Sequence, residues 1–196
     1  MNEPEPILHL ASASPRRAEI LDALGISYTM AGMDIDEQQL PGEAADAMVL
    51  RLATAKAAAA RVEHRGVVLA ADTAVVVDND VFGKPQDQSD ALQMLSRLSG
   101  RGHRVMTGIA LQWDGGKRSA ISTSEVRFRE ISPEEALAYW QSGEPRGKAG
   151  AYAIQGLAGT FVEEIHGSYS GIVGLPVFET AALLAAAEIE VVKSTV

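Results

Sequence analysis

Apolar residues recur along this chain in two periods, one helical and one alternating, and the switches between them mark out its elements. Ile7–Ala11 is a short apolar run and predicts a strand. Ser14 and Pro15 follow as N-cap and first helical residue, and a helix runs on to Leu24 with Gly25 as its stop. Ile20, Leu21 and Leu24 form its apolar stripe, while Glu19 and Asp22 form its wet face. Arg17 lies one turn before that stripe and leans inward. Ser27–Met30 predicts a weaker strand, followed by the acidic segment Asp34-Ile35-Asp36-Glu37. An alanine-rich helix from about Glu43 to Val62 carries Val49, Leu52 and Ala59 on one face, and Lys56 falls on that same face.

The run Val67–Val77 is apolar on both sides of Asp72 and predicts a buried strand. It ends at the turn Asp78-Asn79-Asp80, and Val81-Phe82 pairs back before Gly83-Lys84-Pro85 leaves. Asp87–Leu98 predicts a helix stopped by Gly100. His103–Trp113 and Ser119–Phe128 alternate on either side of Asp114-Gly115-Gly116, the pattern of a long hairpin. Ser132-Pro133-Glu134-Glu135 opens a helix through Trp140 with a capping box. Glycine then becomes dense, interrupted by a strand over Thr160–Ile165 and closed by an apolar helix over Val177–Ala187. Helices and strands mix throughout, so the expected class is α/β or α+β with a mixed sheet.

Charge and cysteine narrow the function more than the fold. The 196 residues allow one large domain or two small lobes, and a single domain spanning 1–196 is the expectation. No apolar stretch approaches the roughly 18 residues of a membrane span. Met1–Pro6 carries two glutamates and no basic residue, unlike a secretory signal. Without cysteine there is no disulfide framework and no thiolate nucleophile, so a cytoplasmic setting without a membrane partner is expected. The net charge of -9 argues against nucleic acid, whose phosphates reward a basic surface. A local cluster of arginine and lysine can still hold one small polyanion.

Two features are costly without a partner. A lone carboxylate in an apolar strand, Asp72, calls for a partner, a metal or a catalytic task. Arg16 and Arg17 stand in the first turn of a helix, where the dipole favours acids, unless an anion docks between them and the backbone N–H groups. The usual phosphate motifs are absent. Pro85 occupies the Ser/Thr position after Gly83-Lys84, and no Gly-x-Gly-x-x-Gly follows a strand. Gly167-Ser168-Tyr169-Ser170-Gly171 lacks the spacing of a nucleophile elbow. His9, His64, His103 and His166 show no metal-ligand spacing and read as structural or surface residues. Carboxylate-plus-cation chemistry remains. Glu37 and Asp72 could hold a hard divalent cation such as Mg²⁺ or Mn²⁺ when phosphates complete its shell. Arg16, Arg17, Lys56 and Lys84 could neutralise a triphosphate. Blander readings stand beside these: Glu37 as a solvated acid next to Asp34 and Asp36, Lys56 as a snorkelling side chain, Asp72 in a structural ion pair.

Five segments together resemble the Maf family of nucleoside triphosphate pyrophosphatases. They are Ser12-Ala13-Ser14-Pro15-Arg16-Arg17, Ala71-Asp72-Thr73, Gly83-Lys84-Pro85, Lys148–Gly156 and Gly171-Ile172-Val173-Gly174-Leu175-Pro176, in family order along nearly the whole chain. The resemblance implies a mixed, twisted α/β sheet with flanking helices in two lobes around a cleft, similar to inosine triphosphatase. It also implies hydrolysis between the α- and β-phosphates with a divalent metal cation, giving a nucleoside monophosphate and pyrophosphate. By the same resemblance Asp72 is the proton acceptor, and Ser12, Ser14, Arg16 and Arg17 bind phosphate. Glu37, Lys56 and Lys84 are polar residues of the same site, with Glu37 and Asp72 toward the metal. Tyr152-Ala153-Ile154-Gln155-Gly156 is similar to the subgroup acting on dTTP and UTP, in which Arg16, Thr73 and Gln155 match the positions tied to base choice. The partner is thus a nucleoside triphosphate, and a homodimer stays open. The family is also linked with arrest of septum formation, so a nucleotide-binding regulator with little turnover is the competing class. Loss of Asp72 or Lys84 would favour that class, and both are present.

Overall fold

Strand β1 (Leu8–Leu10) lies between β2 (Tyr28–Met30) and β3 (Val67–Val77) and runs parallel to both. The computed structural model describes residues 8–192, so Ile7 and the Met1–Pro6 start lie outside the described residues. The sheet continues in the order β2-β1-β3-β5-β6-β7, with β5 at Gly102–Trp113, β6 at Gly116–Phe128 and β7 at Val162–His166. Strand β4 (Asp80–Phe82) pairs antiparallel with the far end of β3, and β7 pairs antiparallel with β6. The sheet is therefore mixed, flanked by helices α1 (Pro15–Ala23), α2 (Ala45–Glu63), α3 (Gln88–Leu98), α4 (Pro133–Gln141), α5 (Tyr169–Val173) and α6 (Val177–Ala186). Among the described residues no helix is long and apolar enough to cross a membrane.

The chain divides into two compact units, and β3, β5 and β6 each pass from one to the other. The first holds residues up to Asp72, Thr107–Ile121 and the chain from Gly174 onward. One of its cores gathers Leu8, Leu10, Leu21, Leu69, Ile109 and Leu184. A second core is almost entirely alanine: Ala53, Ala57 and Ala60 of α2 lie against Ala11, Val68, Ala70 and Ala110. Small side chains let α2 approach the sheet by its backbone, and Gly108 of β5 completes that fit. A Cβ at Gly108 would stand 2.6 Å from the Val49 carbonyl carbon.

The second unit holds Thr73–Met106 and Ser122–Val173 around Phe128, Leu95, Leu98, Tyr139 and Phe161. Its turn at Asp78-Asn79-Asp80 and its capping box act as the sequence predicts, and Asp87 adds a cap. Asp78 and Asn79 take φ of 51° and 71°, the left-handed pair that a tight hairpin turn demands. Asp87 accepts from the Asp90 N–H at the start of α3. Both hydrogen bonds of the Ser132–Glu135 capping box are made. The glycine-dense stretch differs from expectation. Strand β7 begins at Val162, because Leu157–Phe161 coils as a 3₁₀ helix, and α5 forms over a five-residue segment with no readable period.

Candidate active site

Asp72 sits where β3 runs past the end of β1: pairing with β1 stops at Leu69, and the next β1-side contact is the Ala11 N–H on the Leu69 carbonyl. Ligands of open α/β sheets bind at such carboxyl ends of parallel strands. Apart from Val67 and Thr73, β3 is buried, and Asp72 itself keeps 9% of its surface. Helix α2 lays a stripe of Val49, Leu52, Ala53, Lys56, Ala57 and Ala60 on the interior, so the one charge on that face is Lys56. Its ammonium donates to Asp72 Oδ1 at 2.7 Å and meets Glu37 Oε1 at 2.5 Å. Glu37 is thereby part of an ion-pair cluster, with 43% of its side chain exposed.

Between β1 and α1 the chain makes a tight loop. Ser12, almost fully buried, accepts on Oγ from the Ser14 N–H at 3.2 Å and from Arg17 Nη1 at 3.0 Å. Arg17 Nε donates to the Gly174 carbonyl at 2.8 Å, so the guanidinium turns inward as its place before the apolar stripe suggests. Burial lowers the Arg17 pKa to about 10; Asp72 and Glu37 oppose that shift and Arg16 adds to it. Asp72, Glu37 and Arg16 therefore lie close enough to act on the Arg17 charge. Ser14 holds the N-cap backbone geometry of α1 without a side-chain cap hydrogen bond. Gly32, after β2, lies against Ala13, where an added Cβ would be 3.1 Å from the Ala13 methyl.

Ser12, Ser14, Arg16, Arg17, Glu37, Lys56 and Asp72 all belong to the first unit; Thr73, Lys84 and Gln155 belong to the second. Thr73 is half-buried and next to Asp72 on β3. Lys84 is exposed, in the turn leaving β4, where the Gly83 carbonyl accepts from the Gly150 N–H at 3.0 Å. Gly150 has φ +67°, and a Cβ there would press on Val75, so only glycine fits this support. Gln155 is exposed at a turn before the Leu157–Phe161 helix.

The sequence pattern of the Maf-like protein family matches residues 7–187. The chain belongs to the Maf family. Among its Maf relatives, a protein named dTTP/UTP pyrophosphatase from Hahella chejuensis is 54% identical over 90% of this chain and 90% of its own. Another so named, from Burkholderia pseudomallei, is 51% identical over 94% of this chain and 95% of its own. A solved structure, the Staphylococcus aureus Ham1 protein, aligns at 13% identity with a TM-score of 0.47, covering 62% of this chain and 71% of that one.

Some supports of this side-chain cluster carry no readable signal. Arg51 on α2 grips both Glu43 oxygens, at 2.6 and 2.7 Å, and donates to the Gln38 carbonyl at 3.0 Å. Glu43 Oε2 also accepts from the Leu40 N–H. This clamp fixes the irregular segment that carries Glu37. Hydrogen bonds from Arg51 and the Leu40 N–H pull the Glu43 carboxyl down to about 2, so it stays intact at neutral pH.

Proposed function

We propose that this chain hydrolyses nucleoside triphosphates, dTTP and UTP foremost, to the monophosphate and pyrophosphate, as a cytoplasmic enzyme of nucleotide metabolism. The observation that carries the reading is the Lys56 ammonium bridging Glu37 and Asp72 beside an inward-turned Arg17. The names of relatives at 54% and 51% identity support the choice of substrate.

Two carboxylate oxygens converge on one positive charge, and both are hard donors of the kind Mg²⁺ or Mn²⁺ takes. Among the described residues no group of three or more His, Asp or Glu could hold a metal alone, so substrate phosphates would complete the shell. Glu37 and Asp72 fit that role, and a divalent cation held there would supply Lewis-acid polarisation of a phosphoryl oxygen. Asp72 accepts the proton of the attacking water, whose oxygen bonds the α-phosphorus as the bond to the β-phosphate oxygen breaks. Lys56, Arg16 and Arg17 stabilise the negative charge that builds on phosphate oxygens, and Lys84 is assigned to the departing pyrophosphate. Ser12 and Ser14 shape the phosphate-binding loop. Arg16, Thr73 and Gln155 are assigned to the base, and the chain over 1–196 to one functional domain.

The test is pyrophosphate release from dTTP, UTP, CTP and GTP with Mg²⁺ or Mn²⁺ added. Release favouring dTTP and UTP is expected. Tight dTTP binding without release would instead favour a nucleotide-binding regulator.

A further inference from the structure

Gln155 sits in a turn held at both ends by one pair of side chains. The Tyr139 hydroxyl, projecting from α4, accepts from the Ala153 N–H at 3.1 Å and donates to Glu144 Oε1 at 2.7 Å. Glu144 in turn accepts from the Leu157 N–H at 2.9 Å and from the Ala158 N–H at 3.3 Å. The stretch from Ala153 to Ala158 is thus closed into a loop. Ala153, Ile154 and Ala158 are buried within it, and Gln155 is presented outward.

The closure is specific. Leu157 and Ala158 open the 3₁₀ helix, and their N–H groups need an acceptor that the N-cap, Gly156, has no side chain to give. Glu144 supplies it from outside the helix. Gly156 is shaped to the same carboxylate, since a Cβ there would overlap it. Burial acts to raise the Glu144 pKa, but the Leu157 amide, the Tyr139 hydroxyl and the Ala158 amide outweigh it, and the carboxyl titrates below its usual range. The Tyr139 ring is 4% exposed and meets Phe161 edge-on at 5.3 Å, so the core itself aims the hydroxyl.

A glutamine amide offers a donor on one side and an acceptor on the other. Uracil and thymine show an acceptor and a donor along the edge where cytosine shows the reverse. An amide free to rotate could match either. We propose that Tyr139 and Glu144 are positioning residues for base selection, fixing the turn so that Gln155 meets a uracil-type edge and not a cytosine-type one. This rests on the reading of Gln155 as the base contact.

The experiment compares kcat/KM for dTTP, UTP, CTP and GTP in wild type, Tyr139→Phe, Gln155→Ala and the double variant. Tyr139→Phe removes one oxygen and keeps the ring. It should lower the dTTP-to-CTP ratio by about threefold to tenfold, the scale of one mispaired polar group. The dTTP-to-GTP ratio should change less, because a purine differs from thymine in ring size as well as in its polar edge. In the Gln155→Ala background Tyr139→Phe should add nothing to the ratio. If Tyr139→Phe does not fold, Glu144→Gln, which keeps shape and removes charge, carries the same readout. Equal losses on every substrate would overturn the inference and leave Tyr139 a structural residue. A ratio moved by Gln155→Ala but not by Tyr139→Phe or Glu144→Gln would overturn the inference alone. A ratio unmoved by Gln155→Ala would overturn the base assignment and this inference with it.

Discussion

Lys56 touches two carboxylates while lying on the apolar face of a helix, and that arrangement decides what single substitutions should do. Asp72→Asn keeps the shape but gives a poor base, so turnover should vanish while dTTP binding, read by calorimetry, persists. Near-normal turnover in the folded variant would remove Asp72 from the chemistry. Lys56→Met should cost about 3 kcal/mol, because the buried Asp72 loses its counter-charge, while the half-exposed Glu37 keeps its contact with water. If those oxygens can hold a cation, Mg²⁺ should raise the melting temperature of Lys56→Met more than that of wild type. An equal response in both would argue against a cation on this pair. The inward lean of Arg17 and the placement of Lys56 were legible because helical periodicity assigns a face. The meeting of Glu37 with Lys56 was not, because Glu37 lies in a segment without period, held by the distant clamp of Arg51 on Glu43.

At the scale of elements, α2 and β5 form the seat from which Lys56 projects. Their contact is backbone on side-chain-free backbone at Gly108, with alanines on both sides. Gly108→Ala should destabilise by about 3 kcal/mol, since neither the helix nor the strand can give way without moving the sheet. Gly102→Ala in the same strand meets nothing within 4 Å and serves as the control. The urea midpoint should drop for the first and hardly move for the second; similar midpoints would show that α2 can shift. Helix starts at Pro15 and Pro133 were readable from caps, α3 from its helical run before Gly100, and β3 from its apolar run. The 3₁₀ helix at Leu157–Phe161 and the short α5 were not, because three- to five-residue turns show no period.

Across the whole molecule, buried histidines set the response to acid. His103 is 4% exposed, bonds the Tyr152 hydroxyl through Nε2 at 2.8 Å, and has its pKa lowered to about 4 by burial. His9 is lowered too, by burial first and then by the stacked His64. A folded pKa below the unfolded 6.5 means the unfolded chain takes the proton first. Stability should therefore be whole above about pH 6.5 and fall as the pH drops toward 4, by about 1.4 kcal/mol per unit for each such proton. Urea titrations between pH 7 and 5 test this, and His103→Gln should remove about one proton from the slope. A flat profile would mean that the native state takes up the proton as readily as the unfolded one.

By itself the sequence determined the long helices and strands, the mixed class, the family and the residues on which chemistry was expected. Those signals are local: caps, alternation, and charges set where local rules disfavour them. Only the tertiary structure decided which groups meet. Arg17 reaches a carbonyl 157 residues away, Tyr139 and Glu144 close a turn on another part of the chain, and Lys56 joins Glu37 to Asp72. Periodicity fixes the face a side chain occupies, whereas its partner depends on sheet order and on the packing that brings distant segments together.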